Sequence, residues 1–114
     1  MKKFKNKVPL HAPFLNDNSH KYLLECIRSS WVSTAGKFVD QFEEKIKKFT
    51  KSKYVISCIN GTSALHISLL VSGVKANDEV IVPTLSFIAP INAIKYCQAN
   101  PIFMDSDDNY CLDI

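Results

Sequence analysis

The sequence predicts an α/β fold in which a mostly parallel β-α-β-α-β sheet is flanked by helices. Short β-rich runs alternate with helical segments in the second half of the chain, at residues 54–58, 79–82 and 101–105. Strands that alternate with helices of this length pair in parallel through right-handed crossovers. Two amphipathic helical patterns in the first half can cover such a sheet. The length of 114 residues suits one domain at most.

Both predicted helices of the first half have an apolar face. The first has an apolar stripe at helical spacing, formed by Tyr22, Leu23, Cys26 and Ile27. Its cap is expected from one of three polar residues, Asp17, Asn18 or Ser19. The second has an apolar face formed by Phe38, Val39, Phe42, Ile46 and Phe49. Residues 1–16 are expected to form an irregular arm, and residues 17–114 an incomplete domain.

The turn after the first predicted strand is the most specific local feature. Residues 57–63 lead from that strand through a Gly-containing turn into a helix that Gly73 ends. The first N–H groups of a helix have no intrahelical acceptor and carry partial positive charge, so a phosphate fits there. The hydroxyl groups of Thr62 and Ser63 can add hydrogen bonds to it. The alternative is that Thr62 or Ser63 only caps the helix.

A second candidate position follows the next predicted strand. Residues 82–87 lie at the carboxyl end of that strand, where open α/β sheets bind their ligands. Phe87 begins the following helix, so its ring can stack on a planar ligand held at the first turn. The alternative is that Phe87 belongs to the core. An aspartate at the end of the third strand, Asp105, is not assigned a role, and His66 is expected to be structural.

Composition excludes several classes of protein. Glycine occurs only at positions 36, 61 and 73, so neither G-x-G-x-x-G nor the P-loop motif can be built. No apolar stretch is long enough for a transmembrane helix. No metal site is predicted, because the cysteines and histidines lack metal-ligand spacing. Reduced thiols in a cytoplasmic protein are expected for all four cysteines, Cys26, Cys58, Cys97 and Cys111.

The charges are distributed unevenly along the chain. Residues 1–53 have twelve basic and five acidic side chains, whereas residues 54–114 have two and six. The lysines are spread along amphipathic helices with little aromatic interleaving, which favours solvated helix faces over a nucleic-acid surface. An anionic small ligand near the basic half is the alternative.

Five blocks occur in a fixed order: WVSTAGK (31–37), NGTSALH (60–66), GVKANDEVIVP (73–83), NAIKYC (92–97) and PIFMD (101–105). Together they resemble the N-terminal part of the DegT/DnrJ/EryC1/StrS sugar aminotransferases, which are fold-type I enzymes that use pyridoxal 5'-phosphate (PLP). Residues 31–34 and 92–97 are most similar to LegC-type enzymes, which aminate C4 of a UDP-4-keto-6-deoxy sugar. The resemblance covers nearly all of residues 8–114 and implies the front part of the large PLP-binding domain.

The resemblance also implies site residues. The positions that bind the phosphate of PLP match Gly61, Thr62 and Ser63. The aromatic residue that stacks on the pyridine ring matches Phe87. The loop near the keto sugar matches Ser33, Thr34 and Gly36.

The catalytic residues of the family are expected outside this chain. The lysine that binds PLP covalently and the carboxylate that pairs with the pyridine nitrogen both come from later strands in the family. Lys75 and Lys95, the lysines of the second half, do not match that lysine. We therefore expect no catalytic residue in this chain and no activity from it alone.

The function implied is transfer of an amino group from glutamate to a nucleotide-linked 4-keto-6-deoxy sugar, by a cytoplasmic homodimer without nucleic-acid or membrane partners. Two alternatives stay open. One is a sugar dehydratase of the same family, in which a histidine replaces the PLP-binding lysine. The other is a non-catalytic truncated remnant or a small α/β module that binds an anion.

Overall fold

A computed structural model describes residues 11–114, and it divides the chain into two compact units that meet at Val55 and Ile56. The expected irregular arm over residues 1–16 lies largely outside the described residues. Residues 11–16, which are described, form neither helix nor strand.

The first unit contains two helices, α1 (Asp17–Ser29) and α2 (Lys37–Thr50). The cap of α1 is Asn16, whose side-chain oxygen accepts a hydrogen bond from the Ser19 backbone N–H at 3.0 Å. The Ser19 hydroxyl in turn accepts from the Asn16 N–H, which completes a capping box. The prediction of a cap at Asp17, Asn18 or Ser19 was therefore wrong by at least one residue, because Ser19 is the reciprocal partner and not the cap.

The link between α1 and α2 depends on a glycine. Gly36 is the N-cap of α2 and has φ +134°, a backbone conformation that side chains with a Cβ rarely adopt. A Cβ built at Gly36 would lie 3.3 Å from the Cβ of Trp31, which is a tight contact. The two helices also meet through the rings of Tyr22 and Phe38, whose centroids are 5.0 Å apart. Sterics and backbone conformation thus both require glycine at position 36.

The second unit alternates helices and strands: α3 (Gly61–Val71), β1 (Glu79–Pro83), α4 (Ile88–Tyr96) and β2 (Asn100–Met104). The strands are parallel, and the register pairs Glu79 with Asn100 and Pro83 with Met104. Gly73, with φ +87°, follows the end of α3 as predicted. The α/β class with parallel strands is confirmed, and the crossover helix α4 begins one residue after Phe87, the start that the sequence predicted.

The first predicted strand does not form. Residues 54–58 have no strand assignment, and the sheet in the described part of the chain contains β1 and β2 alone. A β-rich run becomes a strand only when a neighbour provides a hydrogen-bonded ladder. Large side chains of this run are exposed, with Tyr54 at 76% and Ile56 at 83%. The prediction was wrong here because composition indicates a tendency to form a strand, but cannot supply the pairing partner.

The core of the second unit is small. α4 packs on one face of the sheet, and the buried apolar side chains are Val82, Ala93, Ile94, Cys97 and Ala99. Half-buried side chains from α3, β1 and the connecting loop complete this core, among them Leu69, Val74 and Val80. The position of α4, and through it that of α3, therefore depends on these few contacts.

We expect Ile94→Ala to destabilise the second unit by about 2–5 kcal/mol, because it leaves a cavity where α4 meets the sheet. Ile94 is 3% exposed, whereas Ile88 on the same helix is 63% exposed. Ile88→Ala is the matched control and should change the free energy of unfolding by less than about 1 kcal/mol. Urea unfolding followed by circular dichroism measures both, and equal effects would contradict the assignment of the core.

Gly36→Ala should destabilise the first unit by about 1 kcal/mol or more, since Ala is strained at this φ and crowds Trp31. Gly61→Ala is the control, because a Cβ at Gly61 meets no atom within 4 Å. Thermal unfolding followed by the fluorescence of Trp31, the single tryptophan, reports on this unit directly. A midpoint for Gly36→Ala that matches that of Gly61→Ala would contradict the steric argument.

Candidate functional site

The N-terminus of α3 is capped by Asn60. Its side-chain oxygen accepts a hydrogen bond from the Ser63 backbone N–H at 2.8 Å, and its backbone carbonyl accepts from the Ala64 N–H at 3.1 Å. The alternative that Thr62 or Ser63 caps this helix was therefore wrong. Asn60 does so because its extended backbone precedes the first helical residue, where a short acceptor side chain reaches the third N–H. The cap leaves both hydroxyl groups available for another partner.

The first turn of α3 has hydrogen-bond donors that a ligand can reach from solvent. The N–H groups of Gly61 and Thr62 have no intrahelical acceptor at this end of the helix. Gly61 is exposed, and the space beside its Cα is open to at least 4 Å. Thr62 and Ser63 are half-buried, so part of each residue is still accessible to a ligand. Two amide donors, two hydroxyls and the positive end of the helix dipole suit a phosphate group.

Phe87 lies at the N-cap of α4, four residues after β1 ends. Its ring is 85% exposed, so the alternative that Phe87 is a core residue was wrong. The backbone at Phe87 is extended (φ −63°, ψ 160°), and no side-chain hydrogen bond caps the helix there. Phe87 therefore offers an uncovered aromatic face at the carboxyl end of the sheet.

His66 contacts the crossover helix. The rings of His66 and Tyr96 lie 5.5 Å apart in an edge-to-face arrangement, which joins α3 to α4. This contact agrees with the expectation that His66 is structural. The contact also holds α3, whose N-terminal donors are described above, against α4.

The remaining predicted site residues belong to the first unit. Ser33 and Gly36 line a cavity of about 500 Å³ between α1 and α2, together with Leu23, Cys26, Trp31 and Phe38. Thr34 is exposed and is not among the residues that line this cavity. At its rim the Glu25 carboxylate accepts a hydrogen bond from the Lys37 ammonium at 2.7 Å, which raises the pKa of Lys37.

A tight turn follows β2. The Asp107 carboxylate accepts hydrogen bonds from the backbone N–H groups of Cys111 at 2.8 Å and Asn109 at 2.9 Å. These bonds lower the pKa of Asp107 because they stabilise its charged form. Asp105 accepts a hydrogen bond from the adjacent Ser106 N–H. Both carboxylates thus serve the local turn geometry.

Residues 11–114 contain no cluster of three or more metal-ligating side chains and no helix long and apolar enough to span a membrane.

All four cysteines are free thiols. Cys97 belongs to the core and Cys26 is half-buried on α1, whereas Cys58 and Cys111 are exposed. Packing therefore accounts for Cys97 fully and for Cys26 in part.

Sequence reasoning missed the role of Asn60. The sequence analysis includes Asn60 in the turn at residues 57–63 and assigns it no cap, although Asn is among the most favoured N-cap residues. Its position three residues before Ser63, at the start of an apolar helical pattern, was the signal that could have identified it.

Known proteins similar to this chain include sugar aminotransferases. A GDP-perosamine synthase from Escherichia coli O157:H7 is 45% identical over 101 residues, which are 89% of this chain and 28% of that protein. A UDP-4-amino-4-deoxy-L-arabinose–oxoglutarate aminotransferase from Shewanella sediminis is 32% identical over 94% of this chain and 28% of its own length. The chain thus spans less than a third of the curated relatives that it matches.

Solved structures give the same fold. The PLP-form of a putative sugar aminotransferase, Spr1654 from Streptococcus pneumoniae, superposes with a TM-score of 0.82 at 25% identity, over 95% of this chain and 28% of that one. A GDP-4-keto-6-deoxymannose-3-dehydratase superposes with a TM-score of 0.72 over 89% of this chain and 28% of that one, at 24% identity, which shows shared fold alone.

The family model described as the DegT/DnrJ/EryC1/StrS aminotransferase family matches residues 13–114. The predicted family, fold class and cofactor are thereby confirmed at the level of the family, whereas the likeness to LegC-type enzymes stays a prediction. By this match over most of its length, the chain belongs to the DegT/DnrJ/EryC1/StrS aminotransferase family.

Proposed function

We propose that this chain provides the PLP-phosphate site of an aminotransferase that acts on a nucleotide-linked 4-keto-6-deoxy sugar. The observation that carries the proposal is the exposed N-terminus of α3. Asn60 caps this helix, and a ligand can still reach the remaining hydrogen-bond donors of Gly61, Thr62 and Ser63 from solvent. The same three residues match the phosphate-binding positions of the family.

The phosphate is bound by the amide groups of Gly61 and Thr62 and by the hydroxyls of Thr62 and Ser63. Each hydrogen bond to the charged phosphate contributes about 1.5–3 kcal/mol. The helix dipole adds to this attraction, because the positive end of α3 lies at the same point. No lysine or arginine occurs between residues 54 and 74, so backbone and hydroxyl donors carry this attraction in the local sequence.

The Phe87 ring would stack on the pyridine ring of PLP and so help to hold the cofactor. Offset stacking contributes about 0.5–1.5 kcal/mol beyond the burial of area. The exposure of this ring at the N-cap of α4 supports the role, since a ring packed in the core cannot contact a cofactor.

PLP, when bound, supplies the electron sink through which an amino group moves from donor to acceptor. The proposed donor is glutamate, and Ser33, Thr34 and Gly36 contact the sugar. The complete enzyme is a cytoplasmic homodimer, and this chain by itself is inactive, because the PLP-binding lysine of the family has no match here.

Amination is favoured over dehydration within the same family. The 45% identity belongs to a protein named GDP-perosamine synthase, whereas the dehydratase matches at 24%. The sugar dehydratase is the second candidate, and the 24% likeness gives it a shared fold only. The relatives are named for both GDP-linked and UDP-linked sugars, so the proposal commits to a nucleotide sugar and leaves the nucleotide open.

The proposed phosphate site is tested by titrating the chain with 4-deoxypyridoxine 5'-phosphate, which lacks the aldehyde that reacts with surface lysines. We expect amide resonances of residues 61–63 to shift on binding, and 4-deoxypyridoxine without the phosphate to leave them unchanged. Ser63→Ala should weaken binding by about 1.5–3 kcal/mol, or tenfold and more in Kd. Ser68→Ala on the same helix is the control, because its hydroxyl bonds to the Ala64 carbonyl.

Amide shifts of equal size with 4-deoxypyridoxine 5'-phosphate and with 4-deoxypyridoxine would contradict the proposed phosphate site. A Ser63→Ala variant that binds as tightly as Ser68→Ala would remove the proposed role of the Ser63 hydroxyl.

Two substitutions at Asn60 separate the effect of the helix cap from the effect of a negative charge at this position. Asn60→Ala should lower the free energy of unfolding by about 1 kcal/mol, since the Ser63 N–H loses its acceptor. Asn60→Asp should keep the cap and the stability, yet bind the phosphate analogue more weakly, because like charges repel at short range. Chemical unfolding and the titration above measure the two effects. Binding by Asn60→Asp at wild-type affinity would show that no anion lies near Asn60.

A further inference from the structure

Asn60 and Gly61 form the single Asn-Gly pair in the sequence. An asparagine loses its side-chain amide when the backbone nitrogen of the next residue attacks the side-chain carbonyl carbon. A Cβ on that next residue crowds the attack and restricts the backbone rotation that it needs, and glycine has no Cβ. Both residues are exposed, and the space beside the Gly61 Cα is open to at least 4 Å. Residue type and exposure therefore both favour this reaction at Asn60.

The nitrogen that would attack is also free of a helical hydrogen bond. The Gly61 N–H has no intrahelical acceptor, because it lies at the start of α3. The N–H groups that follow Asn77 and Asn109 each donate to a carbonyl three residues earlier, at 3.2 and 3.0 Å. Asn100 is followed by a proline, whose nitrogen has no proton to lose. These asparagines are therefore less suited to the reaction than Asn60.

Asn16 provides a matched comparison within the same chain. It caps α1 as Asn60 caps α3, with an extended backbone at both positions. Each side-chain oxygen accepts a hydrogen bond from the N–H three residues later, at 3.0 Å for Asn16 and 2.8 Å for Asn60. Asn16 is exposed too, but Asp17 follows it. The two caps thus share their geometry and differ in the next residue.

We propose that Asn60 is a deamidation site, and that its modification weakens the binding of a phosphate at the first turn of α3. The Gly61 nitrogen forms a bond to the Asn60 Cγ, and the Cγ–Nδ2 bond breaks. Nδ2 leaves as ammonia, together with the proton of the Gly61 amide. Water then opens the cyclic imide at either carbonyl, which yields aspartate or isoaspartate at position 60. One water is consumed for each ammonia released, and no oxidant or reductant is needed.

Both products place a carboxylate where the cap had a neutral amide. Aspartate still caps the helix, but its charge repels a phosphate bound at the N–H groups of Gly61 and Thr62. Isoaspartate also lengthens the backbone before Gly61, so it disturbs the cap itself. This loss of affinity rests on the proposed function, whereas the deamidation itself requires no ligand.

The native cap limits the rate of the reaction. Ring closure requires rotation of the Asn60 backbone, which breaks the hydrogen bonds from the Ser63 and Ala64 N–H groups at 2.8 and 3.1 Å. Helix ends open locally at low cost, so these bonds break transiently. A phosphate bound to the first turn opposes this opening, because it binds the donors in their helical positions. Occupancy of the phosphate site should therefore protect Asn60.

The experiment incubates the 114-residue chain in mildly alkaline buffer and follows deamidation by mass spectrometry after cleavage at lysine. This cleavage releases residues 54–75 as one peptide, in which Asn60 is the single asparagine. We expect Asn60 to react about tenfold faster than Asn16 in the same sample. Saturating 4-deoxypyridoxine 5'-phosphate should slow the reaction at Asn60, and 4-deoxypyridoxine should not.

Two substitutions exchange the residue that follows each cap. Gly61→Ala should slow the reaction at Asn60 by about tenfold, and the fold should persist because a Cβ there meets no atom within 4 Å. Asp17→Gly should accelerate the reaction at Asn16 by a similar factor. Circular dichroism verifies that both variants fold. The deamidated chain, separated by ion exchange, should bind the phosphate analogue with a Kd raised about fivefold or more.

Three results would overturn the proposal. One is a wild-type chain in which Asn60 reacts no faster than Asn16, a comparison that needs no variant. Another is a folded Gly61→Ala variant that deamidates at the wild-type rate. The third is a deamidated chain that binds the phosphate analogue as tightly as the unmodified chain. Failure of the unmodified chain to bind the analogue would instead overturn the proposed function, while the measured rates still decide whether Asn60 is the modification site.

Discussion

The packing of α4 on the β1–β2 sheet is the contact on which the second unit depends. Ile94 from α4 and Cys97, which follows the end of α4, meet Val82 from β1, and Ala99 closes the core where the chain enters β2. Because α4 is the crossover between the two parallel strands, these few side chains fix both the strand register and the point at which the helix begins. The position of Phe87 follows from that starting point. The candidate chemistry of this unit is therefore set by a very small core.

The N-terminus of α3 shows how a local cap and a binding function can coexist. The Asn60 side-chain oxygen accepts a hydrogen bond from the Ser63 N–H, and this satisfies one of the free donors of the first turn. The N–H groups before it, and the two hydroxyls beside it, are left for a ligand. Had Thr62 or Ser63 been the cap, one of these hydroxyls would have been lost to the helix itself. A neutral cap also avoids a carboxylate, which would repel a phosphate at this position.

The sequence predicted those parts of the fold that depend on local patterns. Short β-rich runs located β1 and β2 to within one residue at each end, and Gly73 marked the end of α3. The predicted strand at residues 54–58 failed because a strand is defined by its partner, which no local pattern specifies. The cap at Asn60 was missed for a related reason: adjacent Asn, Thr and Ser residues can all cap a helix, and only the backbone geometry selects one.

Residue roles were harder to predict than elements. The exposure of Phe87 could not be read from its own sequence context, since an apolar residue at a strand-to-helix junction is equally compatible with the core. Its role came from the family resemblance, and the structure excludes only the core alternative. Gly36 is the opposite case, because backbone conformation and the Trp31 contact explain glycine there without any ligand. Gly36 can be required by the backbone conformation while the loop that contains it also contacts a substrate.

The small core of the second unit and the proposed phosphate site are connected through rigidity. A helix N-terminus binds an anion well when its donors are held in place before the ligand arrives, because less conformational freedom is then lost on binding. α3 packs against α4, and α4 packs against the β1–β2 sheet. The donors of residues 61–63 are therefore held in place by the same few side chains that stabilise the second unit.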